Sequence, residues 1–162
     1  MPQAAAPDSA IEAAAWRAEH AALLARHSPS VDFSRPRTTE DAPHNRIKVA
    51  VSDGEGHRSA PHIICRHGIT GLDCGREAVV ELAESAAVLD LEIAHFGEAP
   101  EVKVFGAGDR VIAELTMDPR PRQIERLRVV DKSIRKAIVR AKGGSVLLVS
   151  ASTPPAELLL KV

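Results

Sequence analysis

Tyrosine is missing from this chain, and other rings are scarce: one tryptophan, Trp16, and three phenylalanines, Phe33, Phe96 and Phe105. Base-stacking platforms for single-stranded nucleic acid need such rings, so the composition counts against that mode of binding. The same scarcity leaves Val, Leu, Ile and Ala to fill the core. Cysteine is short as well. Cys65 and Cys74 do not make a disulfide framework, and a reduced, soluble, cytoplasmic protein is the expectation. No apolar run reaches the ~18 residues of a membrane span. The N-terminus has no apolar stretch after a basic start, so no secretory signal and no membrane partner are expected.

What the chain has is an uneven charge. Between Arg120 and Lys142, nine basic residues face only Glu125 and Asp131, a net of +7. With the whole chain at −1, the remainder carries −8. Such asymmetry argues about partners rather than fold. It points to a polyanion, to an acidic protein surface, or to the acidic part of a second copy.

The spacing of apolar residues suggests two parts. Residues 1–45 read as an N-terminal arm: an alanine-rich helix over Ala10–His27, then a linker containing Pro29, Pro36 and Pro43. Residues 46–162 read as a compact domain. Ile47–Val51 alternates like a strand, and Pro61–Arg66 reads as a second strand paired with it. Gly75–Leu89 places Val79, Leu82, Ala83, Ala86 and Leu89 at helical spacing. Leu91–Phe96 is strand-like, and Val102–Phe105 with Arg110–Thr116 predicts a hairpin. Ile124, Leu127, Val130, Ile134, Ile138 and Ala141 recur at helical spacing, so the basic segment 120–142 is expected to be a helix ended by Gly143-Gly144. Ser145–Ser150 reads as an interior strand. The fold class that follows is α+β: a mixed or antiparallel sheet with two helices on one face and a helical arm. An α/β sandwich is the alternative.

Three groups of residues bear on chemistry. On the expected basic helix, Arg122, Arg126, Lys132, Arg135, Lys136 and Arg140 are candidates for contacts to phosphates or to an acidic surface. A solvated face gives the same pattern. His57, His62, Cys65, His67 and Cys74 fall close together, but lack the usual zinc spacing, so neither a metal nor a cofactor is expected. The third group is the glycine-bearing loop His67–Arg76, which leads into the first expected helix, where backbone N–H groups can receive an anion.

That loop carries a resemblance. Ile63-Ile64-Cys65-Arg66-His67-Gly68-Ile69-Thr70 looks like the strand-RHG-x-T signature of the histidine phosphatase superfamily, and Gly75-Arg76-Glu77-Ala78 resembles a helix start common there. The resemblance implies that His67 takes a phosphoryl group and that Arg66 holds the phosphate. Val146–Ser150 looks like the family's late apolar strand, but Ala151 stands where the second catalytic His belongs.

The leading expectation is a non-enzymatic binding or assembly module, a homo-oligomer or a small subunit of a larger complex, whose partner is protein or a second copy. One alternative is a nucleic-acid-binding protein using segment 120–142. The other is a phosphate-handling enzyme using Arg66 and His67.

Overall fold

The computed structural model describes residues 29–34 and 46–154. Among these residues the chain is built of strands and one 3-10 turn, with no α-helix. The strands are β1 (Ser30–Asp32), β2 (Ile47–Ser52), β3 (Arg58–Ser59), β4 (Ile63–Arg66), β5 (Ile69–Asp73), β6 (Glu77–His95), β7 (Glu101–Gly106), β8 (Val111–Thr116), β9 (Glu125–Arg140) and β10 (Val146–Ser152). All strand pairings are antiparallel.

Two strands organise the rest. The second half of β6 pairs with β10 and with the first half of β9. β10 in turn pairs with β5 and β1, and β5 with β4. This is the front sheet. The first half of β6 pairs with β2 and with the second half of β9, which pairs with β7, and β7 with β8. This is the rear sheet, with β3 beside β2. Between the sheets lies one apolar core containing Leu72, Leu89, Leu91, Ile93 and Leu148 from the front and Val80, Val102, Val104, Ala137 and Val139 from the rear. Each large aliphatic side chain so buried contributes about 1.5–3 kcal/mol relative to exposure. The architecture is an antiparallel β-sandwich.

This overturns the α+β expectation and its α/β alternative. Gly75–Leu89 is not a helix but mostly β6, and the basic segment is not a helix but mostly β9. The cause is an irregularity in each strand. In β6 the register shifts between Glu81 and Val88. Before it, even positions face the core (Ala78, Val80, Leu82); after it, odd ones do (Leu89, Leu91, Ile93). A change of parity over seven residues, Leu82 to Leu89, copies two helical turns, although each half alternates with the period of a strand. In β9 the buried residues are Val129, Ile134, Ala137 and Val139, so the parity changes twice, to even at Ile134 and back to odd at Ala137. Of the stripe expected to be buried, Ile134 is fully so, whereas Ile124 and Val130 are 48% and 60% exposed.

Other expectations fare better. β2, the β7–β8 hairpin and the doubly buried β10 lie where alternation and apolar runs put them. β4 is a strand but pairs with β5 rather than β2. Inside the segment read as a linker, β1 pairs with β10, and Phe33 is buried in the core. The helix expected over Ala10–His27 lies outside the described residues.

Candidate functional site

The rear sheet turns one face to the core and one to solvent. Register partners in antiparallel strands share a face, so the outer face can be read as rows across β2, β6, β9, β7 and β8. The first row is Ser52, Glu77, Arg140, Glu101 and Thr116. The second is Ala50, Val79, Ile138, Lys103 and Glu114. The third is Lys48, Glu81, Lys136 and Phe105. Five strands at ~4.8 Å spacing make this face about 19 Å wide.

Its charges alternate. Arg140 donates to Glu77 Oε2 at 3.1 Å, and Lys103 Nζ lies 3.5 Å from Glu101 and 3.7 Å from Glu114. Lys136 Nζ donates to Asp109 at 3.0 Å and sits 5.0 Å from the centre of the Phe105 ring. Every charged register pair in the rows joins opposite signs, the arrangement that favours a sheet face. Between the two charged rows, Ala50, Val79 and Ile138 form a half-buried apolar step. A ligand lying across the strands meets apolar surface in the middle and donors and acceptors on both sides.

The outer face of the front sheet is also polar. Arg128 makes two hydrogen bonds of 2.7 Å to the largely buried carboxylate of Asp90, which holds the guanidinium pKa above its ordinary value. Arg126 donates to Glu92 at 3.3 Å. Ser150 and Ser152 stand beside Glu92 and Asp90 in register.

The basic candidates are therefore spread over two faces. Arg126 is paired on the front sheet, and Lys136 and Arg140 on the rear. Arg122, Lys132 and Arg135 are exposed, with no carboxylate partner among the described residues. Arg122 has φ +66° and its N–H donates to the His95 carbonyl at 2.8 Å. This, with Asp118 O lying 3.0 Å from His95 Nε2, ties the β8–β9 connection to the end of β6.

Arg66 and His67 do not precede a helix. Arg66 closes β4, and His67-Gly68 is the two-residue turn into β5, with φ of +51° and +79°. Positive φ at both central positions is what a type I′ hairpin requires. The Arg66 guanidinium donates to Ser145 Oγ and lies over the Phe96 ring, on which His67 also stacks. The helix N-terminus expected to receive an anion is absent here, because Glu77 begins β6.

The His/Cys group is likewise dispersed. Cys65 is exposed, whereas Cys74 is buried in the core and burial pushes its thiol pKa up to about 12. A different trio, Asp53, Glu55 and His57, brings its candidate ligand atoms within 4.8 Å of one another. Asp53 is occupied by its own loop: Oδ1 accepts from the N–H groups of Glu55 at 2.8 Å and His57 at 3.2 Å. The Glu55 N–H bond above all, with those from His57, holds the Asp53 carboxyl below its usual range against a smaller opposing effect of desolvation.

Sequence reasoning found the cations Lys136 and Arg140 but missed Lys48, Glu77, Val79, Glu101, Lys103 and Ile138. The usable signal was period-two alternation in Glu77-Ala78-Val79-Val80-Glu81-Leu82.

No protein-family model and no curated protein matches this chain. Among solved structures, it is similar to CBM29_1, a family 29 carbohydrate binding module from Piromyces equi, with TM-score 0.45 and 10% identity over 81% of this chain and 94% of that one. It is also similar to the C-terminal CBM6 of LamC, from Zobellia galactanivorans, with TM-score 0.38 and 11% identity over 66% of this chain and 98% of that one. The catalytic unit of the α-1,3-glucanase from Streptomyces thermodiastaticus strain HF3-3 gives TM-score 0.35 and 12% identity, covering 81% of this chain and 25% of that one. At these scores the likeness carries neither family nor function over to this chain.

Proposed function

We propose that the protein is a non-enzymatic binding module that takes a polyhydroxylated ligand, a saccharide, on the outer face of its rear sheet. The observation that carries this reading is the apolar step Ala50–Val79–Ile138 between two rows of alternating carboxylates and cations. A sugar ring is amphipathic in the same pattern. Its C–H surface suits the aliphatic step. Its hydroxyls donate to Glu77, Glu81 and Glu101 and accept from Arg140, Lys103 and Lys48, and hydrogen bonds to ionised groups are the stronger kind. Because the rows run across the strands, an extended chain of sugars lies perpendicular to β6 and β9. No aromatic ring lies in the centre of the rows, so the affinity of a single sugar is weak and binding builds along a polymer.

The test is affinity electrophoresis of the full chain through gels containing a neutral glucan, xylan, mannan or an acidic glycan. Retardation by at least one neutral polysaccharide, lost in Ile138→Asp and in the pair Glu77→Gln with Arg140→Gln, supports the reading. Retardation that the variants leave unchanged, or none in any gel, sinks it. Retardation only by the acidic glycan and by DNA, abolished by Arg122→Gln with Lys132→Gln, would favour the polyanion reading instead.

A further inference from the structure

We infer that the first half of β9, Glu125–Val130, accepts an additional strand from a partner protein, and that this strand is extended and acidic. The argument begins with the sheet. β9 pairs with β7 only from Ile134 to Arg140. From Glu125 to Val130 it pairs with β6 on one side and with nothing on the other among the described residues. Among the described residues that half of β9 is therefore an open edge of the front sheet, with a row of backbone donors and acceptors that none of them pairs.

An open edge is ordinarily blunted by being short, by a proline, or by charges lying across it. This one is six residues long without proline. Its two arginines do not lie across it. Arg126 and Arg128 are drawn towards β6 by Glu92 and Asp90. At the ends of the edge stand the two most exposed large hydrophobic side chains of that strand and its approach, Ile124 and Val130. Beyond them, just outside each end, stand Arg122 and Lys132, exposed and without a carboxylate partner among the described residues.

Those four residues choose the occupant. A strand added antiparallel to Glu125–Val130 forms main-chain hydrogen bonds along its length, covers Ile124 and Val130 with apolar side chains, and meets a cation at each end. Strand addition of this kind draws affinity from the backbone and specificity from alternate side chains. The cations require acidic residues at both ends of the incoming segment, and they steer its approach in a salt-dependent way. The start of the edge is already ordered for this role: His95 lies between the carbonyls of Gly97 and Asp118, and Asp118 N–H donates to Glu125.

The test uses the full chain and a synthetic probe, a labelled peptide of alternating valine and threonine with two glutamates at each end. Fluorescence anisotropy should show binding that falls with salt and weakens about tenfold in Arg122→Glu with Lys132→Glu. The same peptide with lysines in place of glutamates, or with a central proline, should not bind. Amide resonances of residues 124–130 should shift on titration and gain protection from exchange. Equal binding of the lysine and glutamate peptides overturns the inference, as does binding whose shifts map to the outer face of the rear sheet. So does a concentration-dependent dimer that the peptide cannot dissociate, since the occupant would then be a second copy. The saccharide face and this edge share no side chain, so loss of one leaves the other standing.

Discussion

Gly97 should be irreplaceable although its neighbour across the contact is not. It lies in the β6–β7 connection, packed against the β9–β10 connection. A methyl group at Gly97 would lie 2.6 Å from the Gly143 carbonyl oxygen and 3.0 Å from Gly144 Cα. Carbon–oxygen contacts begin at about 3.3 Å, so the connections would have to part by several tenths of an ångström. What resists is backbone, and it is tied down, because Glu98 N–H donates to that same Gly143 oxygen at 3.0 Å. Overpacking strain of about 1–3 kcal/mol and loss of a hydrogen bond with a net contribution of about 1 kcal/mol give Gly97→Ala a cost of about 2–4 kcal/mol. At roughly 4 °C per kcal/mol for a domain of this size, Tm falls by about 8–16 °C. At Gly143 the added methyl meets only the Glu98 side chain, at 3.5 Å or more, and Gly143→Ala stays within about 0.5 kcal/mol of the parent. Thermal and urea unfolding followed by circular dichroism measure both. Equal stability of the Gly97→Ala protein and the parent, or an equal loss in Gly143→Ala, would refute the steric argument.

Two further outcomes follow from burial. Phe33→Ala should cost about 3–5 kcal/mol, because Phe33 is 2% exposed in the shared core and its N–H donates to Val149 O at 2.8 Å; wild-type stability in urea would mean that β1 is not part of the cooperative unit. With iodoacetamide at neutral pH, mass spectrometry should find Cys65 modified in the native protein and Cys74 only after unfolding. The folded state keeps the Cys74 thiol neutral, so its contribution to stability is intact below the unfolded value of 9.0 and declines as pH rises from there towards about 12; native labelling of both thiols at similar rates would contradict this.

Short elements with a simple pattern could be read from the residues: β2 and β7 keep one parity throughout, and β10 is a continuous apolar run buried on both faces. β6 and β9 could not, because a pattern that changes parity along the strand, once in β6 and twice in β9, has no single period, and the nearest regular template is helical. The candidate face was half legible for a related reason. Lys136 and Arg140 stand out in a basic run, but Glu77, the partner of Arg140, is 63 positions away. Only the pairing of β6 with β9 brings the two together. Arg66 and His67 show the converse. Their motif is present, yet the same residues serve a tight turn equally well, and local sequence does not say whether a strand or a helix follows.

The passage of β6 and β9 through both sheets has a mechanical consequence. In a sandwich whose strands each belong to one layer, the layers are joined only by loops and side-chain packing, and one can peel from the other. Here two continuous backbones stitch the layers together, so there is no seam along which to peel. Opening either layer pulls on the other through peptide bonds rather than through contacts. The two surfaces argued for above lie at opposite ends of the same girder, β9. Tension applied at Glu125–Val130 is delivered to Lys136–Arg140 along a single backbone, and thermodynamic linkage makes any such influence between the two surfaces run equally in both directions.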